Sequence, residues 1–259
     1  WVTGADGETF VCLEEVPVPF HVGFKAWQRR AYHSLVGERL ARCLGACAPF
    51  AALWDALWIE RLRAAVHLAS ALDHLHSPNA VVDRPRTRVM FRDLKPSNMG
   101  FRTNGDLVLY DFGLAKFVDE DECREPYVPT PETGSLRFMA PEVALGLPYG
   151  LSCDVYSFGL FLWVIAALQP VFFNCDHKWH HDHVIVQNYR PSVPTTWHPT
   201  LQTAVKTAWS AQPDRRPSAQ SLHHDLRRVL NHFATKEKKT SSSVTTATDE
   251  SKDDAIAAA

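Results

Sequence analysis

The sequence lacks a strong charge imbalance, and this absence bears on the partners it can have. Its 27 Lys and Arg residues nearly balance its 29 Asp and Glu residues, so the formal net charge is −2 at pH 7. Proteins that attract nucleic acids or anionic membranes through their overall field carry an excess of positive charge. The composition therefore predicts neither a nucleic-acid partner nor a membrane partner.

Cysteine pairs of the CxxC type are missing as well. The six cysteines are scattered along the chain, at Cys12, Cys43, Cys47, Cys123, Cys153 and Cys175. In a sequence that shows no secretory leader, such spacing is typical of reduced thiols in an intracellular protein. We therefore expect a cytoplasmic location.

No apolar stretch is long enough to cross a membrane. The segment that comes nearest is VYSFGLFLWVIAAL, residues 155–168, which follows Asp154 and ends at Gln169-Pro170. A spanning helix needs roughly 18 to 20 apolar residues. The segment predicts a helix buried in a globular core instead.

The rest of the chain alternates helical patterns with short extended pieces. Periodicity predicts one or two helices over residues 25–58, an amphipathic helix over 61–77, and further helices over 201–209 and 219–233. Short β-branched and apolar runs predict extended pieces over residues 9–13, 89–91 and 107–110. From residue 235 onward the composition is polar and low in complexity, which predicts a disordered tail over residues 235–259.

Three short motifs carry the functional signal. The segment FRDLKPSN occupies residues 91–98, DFG begins thirteen residues after Asn98, and APE occupies residues 140–142. Each motif by itself would be weak, because isolated acids are usually surface charges or helix caps. In this order and spacing they resemble the catalytic half of eukaryotic protein kinases.

The resemblance implies a role for each polar residue of these motifs. Phosphoryl transfer requires positioning and charge neutralisation more than covalent help. By resemblance, Asp93 accepts or orients the proton of the substrate hydroxyl, and Lys95 contacts ATP and stabilises the transferred phosphate. Asn98 and Asp111 contribute hard oxygen ligands for Mg²⁺ that bridges the ATP phosphates.

The kinase class follows from the same residues. A lysine two residues after the aspartate resembles the serine/threonine class, and GSLRFMAPE with DVYSFGLFLW is similar to the tyrosine-kinase-like group. The implied activity is transfer of the γ-phosphoryl group of ATP to a hydroxyl of a protein substrate.

Several other positions have an implied structural role. Residues 91–98 resemble the catalytic loop of the family. Ser135 takes the place of a hydroxyl residue that contacts this catalytic loop, and Asp154 caps its backbone. Arg216 pairs with Glu142 in the interior. Arg92 either pairs with a phosphate on the activation segment, which lies between Asp111 and Glu142, or packs locally. The candidate phosphorylation sites are Tyr127, Thr130 and Thr133.

The glycine-rich loop and strand lysine of a complete kinase do not appear before the catalytic loop. Lys25, with Glu38 as its partner, is an early candidate for that lysine, but the remaining strands do not fit between Glu38 and the helix near Arg61. We interpret Lys25 as a solvated helix residue. By resemblance the hinge lies at residues 14–16, where the carbonyl of Glu14 and the amide of Val16 meet the adenine and Leu13 is the gatekeeper.

Three features depart from the family pattern. Residues 81–88 look like a surface insertion, and Gly100 stands where many kinases place a larger apolar residue beneath the adenine. The cluster of Cys175 and four histidines over residues 177–183 could bind zinc, but we favour a solvated polar loop.

Together these observations predict an α+β protein-kinase-like fold, with a mainly helical C-lobe and a remnant of the N-lobe sheet. The domain is expected to span residues 1–234, as hinge plus C-lobe of an N-terminally truncated kinase. Two alternatives stay open: a kinase-like binding or regulatory module that is inactive on its own, and a fragment of an active kinase.

Overall fold

The computed structural model describes residues 2–3, 9–10, 18–30, 48–119 and 134–236. Seven α-helices lie in these ranges: α1 (residues 20–30), α2 (Ala48–Leu75), α3 (Pro141–Ala144), α4 (Ser152–Ala167), α5 (His177–Trp179), α6 (Pro199–Ala208) and α7 (residues 219–236). The described part of the chain is thus mainly helical, as predicted.

The strands are short and form three small sheets. They are β1 (Val2–Thr3), β2 (Thr9–Phe10), β3 (Val18–Pro19), β4 (Thr87–Met90), β5 (Met99–Phe101), β6 (Leu107–Leu109) and β7 (Lys116–Asp119). All pairs are antiparallel: β1 with β2, β3 with β5, β5 with β6, and β4 with β7. The predicted α+β class is confirmed, with little sheet in the described residues.

Helix α4 forms the centre of the core, which confirms the prediction for residues 155–168. Every residue from Cys153 to Ala166 is buried, so the helix is surrounded by protein on all sides. Gly159 allows α6 to approach closely, because a Cβ there would lie 2.8 Å from Ala208 Cβ and 2.9 Å from Trp209 N. None of the described helices is long and apolar enough to cross a bilayer.

Helix α2 packs against α4 and begins earlier than the sequence indicated. It starts at Ala48, whereas the pattern predicted an amphipathic helix over residues 61–77 and one or two separate helices over residues 25–58. Proline is tolerated in the first turn of a helix, because amides there have no intrahelical acceptor. Pro49 is therefore compatible with the helix start at Ala48.

Arg61 on α2 closes the end of α4. Its guanidinium is buried, donates to the carbonyl oxygens of Leu57 (3.1 Å) and Ala166 (2.8 Å), and lies 4.0 Å from the Trp58 ring centroid. Burial lowers the pKa of Arg61 to about 9, and the neighbouring Glu60 carboxylate opposes that shift. The charge thus satisfies a carbonyl that α4 leaves open at its C-terminus.

The histidine-rich segment is not the solvated loop that we expected. Asp176 accepts a hydrogen bond from the Trp179 amide and begins α5, which continues as a π-helix over His180–Val186. His180 is only 1% exposed, and its imidazole meets the backbone of Met139. Nowhere in the described ranges do three or more His, Cys, Asp or Glu side chains converge as metal ligands would.

The two remaining boundary predictions fall close to the structure. Residues 82–86 are exposed, as expected for a surface insertion, but Thr87 and Arg88 belong to β4. Helix α7 includes residues 235 and 236, and the rest of the expected tail lies outside the described residues.

Candidate functional site

The carboxylate of Asp93 is held at both oxygens. Asp93 is 6% exposed. Its Oδ2 accepts from Lys95 Nζ at 2.6 Å and from Asn98 Nδ2 at 2.9 Å, and its Oδ1 accepts from the Ser135 amide at 3.0 Å. Charge-assisted hydrogen bonds from three donors fix the orientation of the carboxylate. Two of the other predicted site residues, Lys95 and Asn98, thus contact the Asp93 carboxylate directly.

The backbone before Asp93 is fixed by the first turn of α4. Asp154 is 1% exposed and accepts from the amides of Phe91 and Arg92 at 2.8 Å each, which confirms its predicted capping role. The His76 imidazole lies 3.0 Å from Asp154 through Nε2 and ties the end of α2 to the same carboxylate. Arg92 has a φ of 67°, a left-handed conformation that these contacts stabilise.

Asn98 and Asp111 lie at the same end of the β5–β6 hairpin. Met99 pairs with Leu109, and the Tyr110 amide donates to the Asn98 carbonyl at 3.1 Å, so Asp111 follows directly after a residue bonded to Asn98. Asp111 is exposed and has a φ of 63°. The hairpin register therefore brings together two residues that are thirteen positions apart in sequence.

The donor atoms at this hairpin end fit a hard cation. Asn98 Nδ2 donates to the carbonyl and the carboxylate of Asp93, so Oδ1 of the amide takes no part in these two hydrogen bonds. Asp111 adds an exposed carboxylate. Amide and carboxylate oxygens are the ligands that Mg²⁺ prefers, so these two residues could hold it.

The electrostatics of the hairpin end agree with this geometry. Burial raises the pKa of Tyr110, and the nearby negative charge of Asp111 raises it further. The Tyr110 hydroxyl therefore stays protonated and donates to the Met99 carbonyl at 2.9 Å. This hydrogen bond links the residue before Asp111 to the residue after Asn98.

The segment after Asp111 returns to the catalytic loop. The Phe112 ring meets the Phe91 ring edge-on, with centroids 5.1 Å apart, and Arg92 Nε donates to the Leu114 carbonyl at 2.5 Å. Arg92 thus has a local backbone partner. The candidate phosphorylation sites Tyr127, Thr130 and Thr133 lie outside the described residues. The pairing of Arg92 with a phosphate on one of them therefore stays a prediction.

Gly134 allows the activation segment to approach the catalytic loop. Its φ is 107°, and a Cβ at this position would lie 2.5 Å from the Arg92 carbonyl oxygen. The next residue, Ser135, contacts Asp93 through its amide, whereas the sequence suggested its hydroxyl. The close approach explains why a glycine precedes that amide.

The predicted pair of Arg216 and Glu142 is confirmed. Arg216 Nη1 and Nη2 donate to the two Glu142 oxygens at 2.5 and 2.7 Å, and both side chains are buried. Arg216 also donates to the carbonyls of Ser152 and Ser210. This bidentate pair anchors α3, and with it the APE motif, to the region before α7.

The N-terminal predictions divide into two groups. Lys25 is exposed on α1, which confirms its interpretation as a solvated helix residue. Glu14, Val16 and Leu13 lie outside the described residues. Gly100 is buried in β5 opposite Val108.

Sequence reasoning missed His76 and Tyr110, which support the site through single hydrogen bonds. Neither belongs to the motifs that carried the resemblance, and no local pattern marks their partners. The tertiary contacts to Asp154 and Met99 are what identify them.

Comparisons with known proteins agree with the site. The sequence matches the family model for the protein kinase domain over residues 60–226, well over half of the chain. The dual specificity protein kinase shkD of Dictyostelium discoideum is 30% identical over 145 residues, which cover 56% of this chain and 19% of that protein. The serine/threonine/tyrosine-protein kinase HT1 of Arabidopsis thaliana is 30% identical over 161 residues, which cover 62% of this chain and 38% of that protein.

A third relative has a higher identity over a shorter stretch. The putative mitogen-activated protein kinase kinase kinase 7-like of Drosophila melanogaster is 38% identical over 117 residues, which cover 45% of this chain and 26% of that protein. The alignments thus span less than two fifths of the length of each of these relatives. By the family match and by the site that its residues build, the chain belongs to the protein kinase domain family.

Proposed function

We propose that this protein is a serine/threonine protein kinase that transfers the γ-phosphoryl group of ATP to a hydroxyl of a protein substrate, with Mg²⁺. The observation that carries the proposal is the Asp93 carboxylate, which is buried and fixed by three donors, one of them the Asn98 amide. Such a site offers positioning and charge neutralisation, which phosphoryl transfer mainly requires.

Asp93 orients the substrate. Its carboxylate accepts the hydrogen of the incoming serine or threonine hydroxyl, which aims the oxygen at the phosphorus atom. The Ser135 amide and Asn98 Nδ2 prevent the carboxylate from rotating while the hydroxyl is bound. Because Ser135 belongs to the activation segment, between Asp111 and Glu142, the position of that segment affects the orientation of Asp93.

Lys95 balances charge on the transferred group. Its ammonium lies 2.6 Å from Asp93 Oδ2, and the side chain is 24% exposed, so its remaining N–H groups can reach a phosphate oxygen. An ammonium at this position attracts the negative charge of the transferred phosphoryl group and stays within hydrogen-bond distance of the carboxylate that orients the hydroxyl.

Asn98 and Asp111 are the proposed Mg²⁺ ligands. When held by these two residues, Mg²⁺ would supply positive charge that neutralises the charge developing on the leaving group. The proposal is supported by the contact of Asn98 with Asp93 and by the Tyr110–Asn98 hydrogen bond, which brings the backbone of Asp111 near Asn98. At the hinge, the carbonyl of Glu14 and the amide of Val16 are the proposed contacts of the adenine. An intracellular location, inferred from the cysteines, belongs to the same proposal.

Phosphate transfer by the full-length protein tests the proposal. We would measure incorporation of labelled phosphate from ATP into a mixed serine/threonine peptide library by wild type and by Asp93→Asn. We expect the variant to lose about 10²- to 10⁴-fold in rate, because an oriented base typically contributes this much.

Asp106→Asn is the matched control. Asp106 is an exposed carboxylate in the β5–β6 turn, where it accepts from Asn104 Nδ2, and it is not part of the site. The rate of phosphate transfer by Asp106→Asn should equal that of wild type. Equal rates for wild type and Asp93→Asn would refute the proposal, and ATP binding without transfer by wild type would favour a kinase-like binding module.

A further inference from the structure

A polar cavity whose lining includes none of residues 91–98 lies beside the C-terminal end of α6. Its volume is about 300 Å³, at the lower end of the range of roughly 300–1,000 Å³ seen for ligand sites. It is bounded by the end of the π-helix segment, the last turn of α6 and the segment after it. The lining residues are Asn188, Arg190, Lys206, Trp209, Ser210, Ala211, Gln212 and Arg215. Three of these are cationic and none is acidic.

Arg190 forms the inner wall of this basic cavity, and its hydrogen bonds are incomplete. Its Nε donates to the Trp209 carbonyl at 3.0 Å, and its Nη1 donates to the carbonyls of Val184 (3.0 Å) and Tyr189 (2.8 Å). Its Nη2 is buried and has no acceptor among the described residues. Arg190 therefore contributes a positive charge to the wall of the cavity, and this charge attracts an anion there.

Charge around Arg190 is also unbalanced. Arg190 and Arg216 both lie over the ring of Tyr156, with guanidinium carbons 5.2 and 5.0 Å from its centroid. Burial lowers the pKa of Arg190 and the positive charge of Arg216 lowers it further, whereas Tyr156 and Glu142 oppose the shift. Glu142 is already engaged with Arg216 on both oxygens. Arg190 itself has only backbone carbonyls as hydrogen-bond acceptors among the described residues.

Lys206 and Arg215 stand at the rim of the cavity. Both are exposed, and neither forms an ion pair with a carboxylate in the described part of the chain. Asp214 precedes Arg215 in sequence but does not line the cavity. Two free cations thus flank a third that is partly buried, which is the charge arrangement that recognises a doubly charged oxyanion.

We propose that this basic cavity binds the phosphate group of a phosphorylated polypeptide. A phosphate monoester carries about −1.5 to −2 charges at pH 7 and three acceptor oxygens, which matches three cations around one space. The cavity has room beyond the phosphate itself, and Asn188 and Gln212 place amide side chains beside the cations. Those amides can hydrogen-bond with the backbone of residues that flank the phosphorylated one. The site is independent of the proposed catalytic activity.

Binding of a labelled peptide pool tests the proposal. The probe is a degenerate peptide library with one fixed phosphoserine, and its unphosphorylated counterpart is measured in parallel by fluorescence anisotropy. We expect the full-length protein to bind the phosphorylated pool and not the other. The double substitution Lys206→Gln/Arg215→Gln should weaken this binding by at least about tenfold, because it removes two charge-assisted contacts.

Two controls locate the site. Lys178→Gln/Arg228→Gln removes two exposed cations that do not line the cavity, and it should leave the affinity unchanged. Lys95→Gln should also bind the pool normally, which separates this cavity from the catalytic site. A urea midpoint equal to that of wild type will show that Lys206→Gln/Arg215→Gln is folded, as expected for two exposed residues.

Inorganic phosphate as competitor distinguishes the source of the anion. If the ligand is carried on a polypeptide, phosphate should displace the pool only at concentrations at least about tenfold above the dissociation constant of the pool. Competition at equal concentrations would overturn the polypeptide ligand in favour of free phosphate. Absence of binding, or equal binding by wild type and Lys206→Gln/Arg215→Gln, would overturn the site.

Discussion

The substitution Glu142→Gln should lower the free energy of unfolding by more than almost any other removal of a single charge. Glu142 and Arg216 have side chains that are 6% and 0% exposed, and they share two hydrogen bonds. A glutamine keeps one acceptor oxygen but turns an amide N–H₂ toward the guanidinium, so a buried positive charge loses its counterion. Breaking a buried pair in this way costs about 3–5 kcal/mol, a large part of a typical stability of about 5–15 kcal/mol.

Urea unfolding followed by tryptophan fluorescence measures this cost. With a slope of about 2.5 kcal/mol/M, the midpoint should fall by about 1–2 M. The control Asp182→Asn makes the same chemical change in an exposed pair with Lys178 and should leave the midpoint nearly unchanged.

The double substitution Glu142→Leu/Arg216→Met removes both charges together. It should be less destabilised than Glu142→Gln, because no buried charge is left without a partner. A Glu142→Gln midpoint as close to wild type as that of Asp182→Asn would refute the reasoning.

Two further predictions concern His180 and Gly134. Burial lowers the pKa of His180 from 6.5 to about 4, so between these values the unfolded chain binds a proton that the folded chain does not. Stability should therefore fall as pH falls through this window, by about 2 kcal/mol between pH 7 and pH 5 from this residue. Urea midpoints at the two pH values should show this loss in wild type and a smaller loss in His180→Phe; equal losses would contradict the assignment. Gly134→Ala places a Cβ against the Arg92 carbonyl, whereas Gly150→Ala meets nothing within 4 Å. We expect the former to cost about 1–3 kcal/mol and to lower the rate of phosphate transfer, and the latter to do neither; matching urea midpoints and rates would count against it.

The residues of the site could be predicted because their spacing is local. Asp93, Lys95 and Asn98 lie within six positions, and the structure joins them by direct hydrogen bonds. Asp154 and the Arg216–Glu142 pair were also predicted correctly, by resemblance to the family. In these cases each residue type is required by a contact that recurs throughout the family.

The errors arise where distant partners decide the structure. Strand β7 pairs with β4 across a long stretch of sequence, and β5 is stabilised by both β3 and β6, so neither strand has a clear local signal. The histidine-rich segment is polar in composition, yet His180 is buried against the backbone of Met139. Local polarity predicted a loop there because it carries no information about that contact.

The division of roles between Asp93 and Asp111 is the central claim, and the affinity for ATP in the presence of Mg²⁺ tests it most directly. Titration of the full-length protein with a fluorescent ATP analogue would be compared for wild type, Asp93→Asn and Asp111→Asn. We expect Asp111→Asn to weaken Mg²⁺-dependent binding by at least about tenfold, because it removes the carboxylate that we propose as a ligand of the metal. Asp93→Asn should bind like wild type and yet fail to transfer phosphate. Equal Mg²⁺-dependent affinity in wild type and Asp111→Asn would contradict the metal role, and normal transfer by Asp93→Asn would contradict the role of Asp93.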